Sequence, residues 1–213
     1  MSDTVRFVEF MMDAGVLTFG DFVTKSGRRT PYFINTGNYK TGAQISRLGD
    51  FYADAIVESG VAFDALYGPA YKGIPLVAAA ASSLYRKHGR DVPYCFNRKE
   101  AKDHGEGGLI VGYQPKDGDT LVIVEDVVTA GTAVRETLAL LEKVAEVRIA
   151  ALFVSVDRME RGRGQLSALE ELRQEHGIQV FPIVTVRDII AALPAGDPRA
   201  ERIARYLAEY GVP

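Results

Sequence analysis

Short apolar runs alternate with helix-like segments over most of this chain. The runs have the length and composition of buried strands: FDALYGP, VPYCFN, LIVGY, TLVIVED, VRIAALFVSVDR and IQVFPIVTV. Apolar residues recur at helical spacing in the segments IPLVAAAASSLYRKH, TAVRETLALLEKV and QLSALEELRQEH. This alternation predicts an α/β fold, in which a mostly parallel sheet is covered by helices on both faces.

The N-terminal part of the chain does not share this alternation. Residues 4–14 have helical spacing, with Val5, Val8, Phe10 and Met12 on one face, and residues 41–58 have helical spacing as well. Residues 16–38 are instead rich in glycine, threonine and aromatic residues, which favours short strands and turns. We therefore expect a single domain over residues 1–213, with a small N-terminal subdomain, the hood, contributed by residues 1 to about 40.

Composition narrows the classes of partner and location. The net charge is -3, so no overall positive field attracts nucleic acid or an anionic membrane. The single cysteine, Cys95, cannot form an intrachain disulfide, which suits a reducing compartment. The acidic N-terminus is unlike a signal peptide, and the apolar runs are shorter than the roughly 20 residues of a membrane helix. We expect a soluble cytoplasmic protein that binds neither nucleic acid nor membrane.

The segment EDVVTAGT follows an apolar strand and precedes a helix. Ligands of open parallel sheets bind beyond the carboxyl ends of the strands. Here the loop amides and the hydroxyls of Thr129 and Thr132 can hold an anion at the helix N-terminus. Glu125 and Asp126 can accept hydrogen bonds from a diol, so the segment fits a ligand with both a phosphate and vicinal hydroxyls. The alternative is an ordinary helix start with acidic residues in its first turn.

Three other places follow predicted strands. Lys72 lies in the turn GPAYKGIP, where it is either a ligand for an anion or a solvated surface lysine. Residues 98–108 combine basic side chains with three glycines, which suits either a lid that closes over a polyanion or a solvated hairpin loop. Arg158 comes just after a strand, where an arginine can bind a carboxylate in bidentate fashion.

These segments resemble those of a known family. LVIVEDVVTAGT is similar to the signature with which type I phosphoribosyltransferases bind phosphoribosyl pyrophosphate (PRPP). The segments FGDFVTKSGRRTPYFINTG, YGPAYKGIP, PYCFNRKEAKDHGEGG and SVDRMERGRG further resemble the bacterial orotate phosphoribosyltransferases. The resemblance extends over nearly the whole chain and implies the type I phosphoribosyltransferase fold.

The resemblance also implies a reaction. The phosphoribosyl group of PRPP would be transferred to orotate, giving orotidine 5′-monophosphate and pyrophosphate in pyrimidine (UMP) biosynthesis. Mg²⁺ would be held mainly by PRPP and water, so that no metal cage made of protein ligands alone is expected. A homodimer is implied, in which the lid of one subunit covers the site of the other.

The family pattern assigns roles to individual positions. The implied PRPP contacts are Lys25, Tyr71, Lys72, Arg98, Lys99, Lys102, His104, Glu125, Asp126, Val127, Val128, Thr129, Ala130, Gly131, Thr132 and Ala133. The implied orotate contacts are Lys25, Phe33, Ile34, Thr129 and Arg158. The implied catalytic residues are Lys102, His104, Lys25 and Asp126, where Lys102 or His104 protonates or pairs with pyrophosphate. Residues 98–108 would form the mobile lid.

Two positions depart from the pattern, and two other functions compete. The family often has aspartate at position 125, and many bacterial members have phenylalanine at position 34, so that Ile34 can offer a backbone contact but no aromatic stacking.

A purine phosphoribosyltransferase would share the PRPP loop without needing Arg158. A non-catalytic PRPP-sensing regulator would share the fold. A dinucleotide-binding protein is disfavoured, because the chain lacks the GxGxxG fingerprint.

Overall fold

A computed structural model of the chain describes residues 3–24, 27–102, 108–162 and 164–212, with the backbone alone for residues 100–102. The helices within these ranges are α1 Asp3–Asp13, α2 Gly42–Glu58, α3 Gly73–His88, α4 Thr132–Leu141, α5 Ala168–His176, α6 Val186–Ala192 and α7 Pro198–Tyr210. The strands are β1 Leu17–Val23, β2 Arg29–Ile34, β3 Ala65–Gly68, β4 Tyr94–Lys102, β5 Gly108–Gly112, β6 Thr120–Glu125, β7 Arg148–Asp157 and β8 Gln179–Thr185. None of these helices combines the length and the apolar character that crossing a bilayer requires.

The central sheet has six strands in the order β5-β4-β3-β6-β7-β8. Neighbouring strands run parallel except for β4 and β5, which form an antiparallel pair at one edge. The predicted α/β fold with a mostly parallel sheet is therefore confirmed. β6 lies between β3 and β7, so its carboxyl end opens at the middle of the sheet edge.

Both faces of β6 are buried. Val122 and Val124 pack into a cluster with side chains of α1, α2 and α3, whereas Leu121 and Ile123 pack into a second cluster with α4 and α5. Successive side chains of a strand point to opposite faces, so one apolar run supplies both clusters. This explains why the strand is uninterrupted by polar residues until Glu125.

The strands β1 and β2 form a separate antiparallel sheet of two strands. β2 lies against α7, where the rings of Tyr32 and Tyr206 meet edge to face at 6.1 Å. A short 3₁₀ turn, Thr36–Asn38, follows β2 and leads toward the central sheet. The Asn38 side chain donates to the Gly15 carbonyl at 2.7 Å, which fixes this turn to the start of β1.

β4 is longer than the sequence pattern predicts. The apolar run ends at Asn97, but the strand continues to Lys102, which pairs with Gly108 of β5. The pairing is irregular between Asn97 and Lys102, as at a β-bulge. Residues 98–102 therefore extend a strand rather than forming the first part of a loop, with β5 pairing at Asn97 and again at Lys102.

Candidate active site

Two buried carboxylates end the central strand. Glu125 is the last residue of β6 and Asp126 follows it, and each is only 7% exposed. Their backbone is held from the core, because the Tyr52 hydroxyl donates to the Glu125 carbonyl at 2.6 Å and the Ser155 hydroxyl donates to the Asp126 carbonyl at 2.7 Å. The fold therefore fixes the position of both carboxylates.

Asp126 accepts hydrogen bonds from two other segments of the chain. Lys72 Nζ donates to Asp126 Oδ2 at 2.8 Å, and Thr36 Oγ1 donates to the same oxygen at 2.6 Å. Lys72 Nζ also lies 3.1 Å from Thr36 Oγ1. The loop after β3, the turn after β2 and the end of β6 thus converge on one carboxylate oxygen.

The two carboxylates differ in their protonation. Burial, together with repulsion from Asp126, raises the pKa of Glu125 to about 8. Burial also opposes ionisation of Asp126, but hydrogen bonds from Lys72, Thr36 and the Val127 N–H outweigh it and hold its pKa below the usual value. Asp126 is therefore the more readily ionised member of the pair.

The loop after Asp126 ends at an open helix N-terminus. Gly131 has φ 70°, in the left-handed region, and precedes α4 without a capping hydrogen bond from a described side chain. The first N–H groups of α4 are thus available to an anion. The first turn of α4 contains no acidic residue, so the alternative of an ordinary acidic helix start is wrong. The reason is that the helix begins only at Thr132, after the loop.

Arg135 of α4 holds this loop in place. Its Nη1 donates to the Ala130 carbonyl at 2.9 Å, while its Nη2 forms ion pairs with Glu171 at 3.2 Å and Glu175 at 2.9 Å. Both acidic partners belong to α5. The loop is therefore tethered through one guanidinium group to the neighbouring helix.

The loop after β3 depends on two glycines. A Cβ atom on Gly68 would lie 2.3 Å from the Gly73 carbonyl oxygen, so only glycine lets the start of α3 approach the end of β3 this closely. The Ala70–Tyr71 peptide bond is cis, and the Ala70 N–H donates to the Asn97 side chain at 2.8 Å. This path places Tyr71, 71% exposed, next to Lys72.

Two adjoining cavities lie at this edge of the sheet. The larger, of about 310 Å³, is lined by Ala70, Tyr71, Lys72, Glu125, Asp126, Val127, Val128, Thr129, Ala130, Gly131, Thr132, Ala133 and Val134. The smaller, of about 190 Å³, is lined by Pro69, Ala70, Asn97, Arg98, Lys99, Leu109, Ala133, Glu136, Thr137 and Leu140. The structure thus brings most of the residues with predicted PRPP contacts to two neighbouring cavities that share Ala70 and Ala133.

Arg158 lies away from both cavities in a polar cluster of its own. Its Nε and Nη2 donate to Glu160 Oε1 at 2.9 and 2.6 Å, and its guanidinium carbon lies 4.5 Å from the centre of the Tyr32 ring. The Arg158 side chain is 13% exposed. The resemblance implies that this guanidinium binds a ligand carboxylate. In the structure it is paired with the carboxylate of Glu160, two residues further along the chain.

The other residues predicted to contact orotate are placed unevenly. Phe33 is 43% exposed and lies 5.5 Å from the Phe22 ring, whereas Ile34 packs against the core. Neither Phe33 nor Ile34 lines the two cavities formed by the described residues. Lys25 and His104 lie outside the described residues, as does the side chain of Lys102.

Three contacts were not predicted from the sequence. Thr36 reaches Asp126 across 90 positions, Asn97 supports the loop at Ala70, and Glu160 pairs with Arg158. Thr36 carries no sequence signal of its own, since a threonine after a strand is ordinary. Glu160 lies in the quoted segment SVDRMERGRG and could have been considered as a partner from its spacing.

Comparison with known proteins gives the family of this chain. Residues 35–184 match the phosphoribosyl transferase domain family. The orotate phosphoribosyltransferase of Clostridium acetobutylicum is 50% identical over 217 aligned positions, covering 97% of each protein. The chain belongs to the orotate phosphoribosyltransferase family. The orotate phosphoribosyltransferase of Cronobacter sakazakii is also 50% identical and again matches over 97% of both proteins.

A solved structure agrees with this membership. The crystal structure of orotate phosphoribosyltransferase from Francisella tularensis superposes with a TM-score of 0.88 at 37% identity. The superposition covers 97% of this chain and 99% of that one. The sheet order and the strand ends that form the site therefore belong to a fold shared across nearly the full length of both chains.

Proposed function

We propose that this protein transfers the phosphoribosyl group of PRPP to orotate, forming orotidine 5′-monophosphate and pyrophosphate. The observation that carries the proposal is the buried pair Glu125 and Asp126 beside the open N-terminus of α4, in one cavity. A ribose 5-phosphate group is complementary to it, because its hydroxyls can donate to carboxylates and its phosphate can accept from amides. The close relatives named above support orotate as the acceptor. The product would place the reaction in pyrimidine nucleotide biosynthesis, with a cytoplasmic location as a prediction.

PRPP would occupy the larger cavity in one orientation. Glu125 and Asp126 would accept from the ribose hydroxyls, and residues 127–133 would hold the 5′-phosphate. Tyr71 and Lys72 would then lie at the pyrophosphate end. Lys72 is paired with Asp126 at 2.8 Å, so PRPP binding would redirect this cation from the carboxylate to the pyrophosphate.

The reaction forms a bond from an orotate ring nitrogen to the anomeric carbon and breaks the bond from that carbon to pyrophosphate. Negative charge accumulates on the departing pyrophosphate, so fixed cations stabilise the transition state more than a strong base would. Lys72 in the larger cavity and Arg98 and Lys99 in the adjoining one can supply that charge. Lys102 and His104 are proposed to add to it from the lid, as counter-ion or proton donor.

Mg²⁺ is proposed as the metal that accompanies PRPP. The described residues include no cluster of three or more histidine, cysteine or acidic side chains that could hold a metal ion. Mg²⁺ needs less than this, because one or two carboxylates with water and substrate phosphates suffice. Asp126 and Glu125 fit that requirement. When bound, Mg²⁺ supplies positive charge at the pyrophosphate oxygens.

The base would bind on the side of Arg158. We propose that the orotate carboxylate shares or replaces the contact that Glu160 makes with this guanidinium. Phe33, Ile34 and Lys25 would contact the ring from the hood, and Thr129 from the phosphate loop. Orotate carries a carboxylate that purine bases lack, and this difference is the basis of the expected selectivity.

A panel of bases tests the proposal. Purified protein with PRPP and Mg²⁺ is given orotate, adenine, guanine, hypoxanthine or uracil, and consumption of each base is followed by ultraviolet absorbance. We expect loss of orotate alone, abolished by a metal chelator and restored by Mg²⁺. Consumption of a purine base instead would favour a purine phosphoribosyltransferase. PRPP binding without turnover of any base would favour the regulator.

The lid and the homodimer are proposed together and have their own test. Lys102→Ala should lower kcat by orders of magnitude, and a change within about twofold, less than about 0.5 kcal/mol of barrier, would contradict a catalytic lid. Lys25→Ala and Lys102→Ala should each be inactive, but mixing them should restore activity if a site takes these residues from different subunits. No recovery after verified subunit exchange would contradict the shared site.

A further inference from the structure

Thr36 connects the two-stranded sheet to the carboxylate pair. It follows β2 by two residues and begins the 3₁₀ turn Thr36–Asn38. Its hydroxyl donates to Asp126 Oδ2 at 2.6 Å, a short hydrogen bond to a buried carboxylate. Thr36 does not itself line the larger cavity.

The position of this hydroxyl is set by the N-terminal segment. The Asn35 N–H donates to the Val16 carbonyl at 2.8 Å, and the Asn35 side chain accepts from the Gly37 N–H at 3.1 Å. The Asn38 side chain donates to the Gly15 carbonyl at 2.7 Å. None of these bonds involves a residue that lines the larger cavity, so the turn that positions the Thr36 hydroxyl is held independently of it.

The other donor to Asp126 Oδ2 is not fixed in the same way. Lys72 has a long, flexible side chain and is the cation that the proposed function directs to pyrophosphate. Once Lys72 turns away, the donors left to the Asp126 carboxylate are the Val127 N–H and the Thr36 hydroxyl. Thr36 keeps Oδ2 engaged from a second segment of the chain, which limits the rotamers of the Asp126 side chain.

We propose that Thr36 is a positioning residue for phosphoribosyl transfer, whose hydroxyl holds the Asp126 carboxylate toward the ribose hydroxyls while Lys72 moves to pyrophosphate. This inference rests on the proposed function and adds to the site a residue that does not line the cavity. Thr36 acts through Asp126 and need not touch the substrate.

The experiment measures PRPP affinity by calorimetry with Mg²⁺ and without a base. Thr36→Val should weaken PRPP binding about tenfold, the effect of losing one hydrogen bond to a charged group. Thr36→Ser keeps the donor and should restore the wild-type affinity. Thr36→Ala also removes the hydroxyl but has no β-branched side chain. It replaces Thr36→Val in the comparison if valine disturbs the turn.

Thr41→Val is the matched control. Thr41 caps α2 through its hydroxyl, so this variant also loses a threonine hydrogen bond but has no contact with Asp126. It should lower stability without changing the affinity for PRPP. Hydroxyl-free variants that bind PRPP as tightly as the wild type, or a Thr36→Ser variant that fails to restore the affinity, would overturn the inference. A wild type that binds PRPP but transfers to no base would refute the proposed function while leaving the affinity comparison intact.

Discussion

The two sides of the candidate site are built differently. The PRPP side is almost one continuous segment, residues 125–133, in which a strand end, a loop and a helix start follow each other. The base side combines Phe33 and Ile34 of β2 with Arg158 after β7, more than a hundred positions away. The first is an open cavity, whereas the guanidinium of the second is already paired with Glu160.

The two sides differ in how far their side chains are preorganised for a ligand. On the PRPP side the core fixes the carboxylates through Tyr52 and Ser155, and the anion donors face open space. On the base side an internal ion pair has to be shared or opened. We therefore expect substitutions on the two sides to separate cleanly into effects on PRPP and effects on orotate.

The largest effect is expected for Asp126→Asn. The substitution removes the charge that Lys72 and Thr36 stabilise, so kcat/KM for PRPP should fall about a hundredfold, as for lost hydrogen bonds to a buried charge. KM for orotate should stay near the wild-type value. Steady-state kinetics with each substrate varied gives both numbers. Asp54→Asn also removes a charge paired with a lysine, at the contact between α2 and Lys87 of α3, and is the matched control that should change neither. A larger effect on orotate than on PRPP would contradict the division into two sides.

Arg158→Met should give the opposite pattern. Loss of a charge-assisted contact to the orotate carboxylate should raise KM for orotate at least about tenfold, with little change for PRPP. The variant also leaves Glu160 without its partner, which lowers stability. The double variant Arg158→Met with Glu160→Met removes both charges and should regain stability without regaining orotate affinity. Recovery of orotate affinity in the double variant would show that Arg158 does not bind the base.

A smaller effect is expected for Gly131→Ala. An alanine at φ 70° costs about 1–2 kcal/mol, and its methyl group would displace the flexible end of Arg135. KM for PRPP should rise roughly fivefold to thirtyfold, the same energy converted to affinity. Gly177→Ala has the same backbone strain, with φ 66° at the end of α5 and open space around it. It should lose similar stability but keep the PRPP kinetics. Equal KM changes in both variants would mean that the loop conformation does not matter to PRPP.

A different kind of effect, a pH dependence of stability, is expected on the PRPP side. The folded-state pKa of Glu125 is raised from 4.5 to about 8, so its favourable contribution is complete below 4.5 and is lost as the pH rises through about 8. The free energy of unfolding of the wild type should therefore fall over this range relative to Glu125→Gln, which cannot ionise. Urea unfolding of both proteins at several pH values measures the difference. A constant difference, or one of opposite sign, would contradict a protonated Glu125 in the folded protein.

The sequence was informative where neighbours in the chain are neighbours in space. The alternating apolar runs predicted the parallel sheet, and EDVVTAGT predicted an anion loop because strand, turn and helix follow directly. Pairings across long separations were not predictable, as for Thr36 with Asp126, and for Tyr32, whose hydroxyl donates to Glu160 at 3.2 Å across 128 positions. The extension of β4 was missed for a related reason, since pairing with β5 determines it rather than apolar spacing.

Helix faces were predicted approximately. For α1 the spacing indicated Val5, Val8, Phe10 and Met12 as the apolar face, whereas the structure buries Phe7, Val8, Phe10 and Met11. The face is rotated because α1 packs against α6 and β8, and these neighbours determine which side is covered. Periodicity locates a helix, but its contacts decide the orientation.

The central claim is that Glu125 and Asp126 hold the ribose hydroxyls while the loop holds the phosphate. The most direct test compares the affinities of ribose 5-phosphate and 2-deoxyribose 5-phosphate for the wild type and for Asp126→Asn. We predict that the wild type binds the ribose form more tightly, and that Asp126→Asn loses most of this preference while still binding the phosphate. Equal binding of both sugars by the wild type, or an undiminished preference in the variant, would contradict the account.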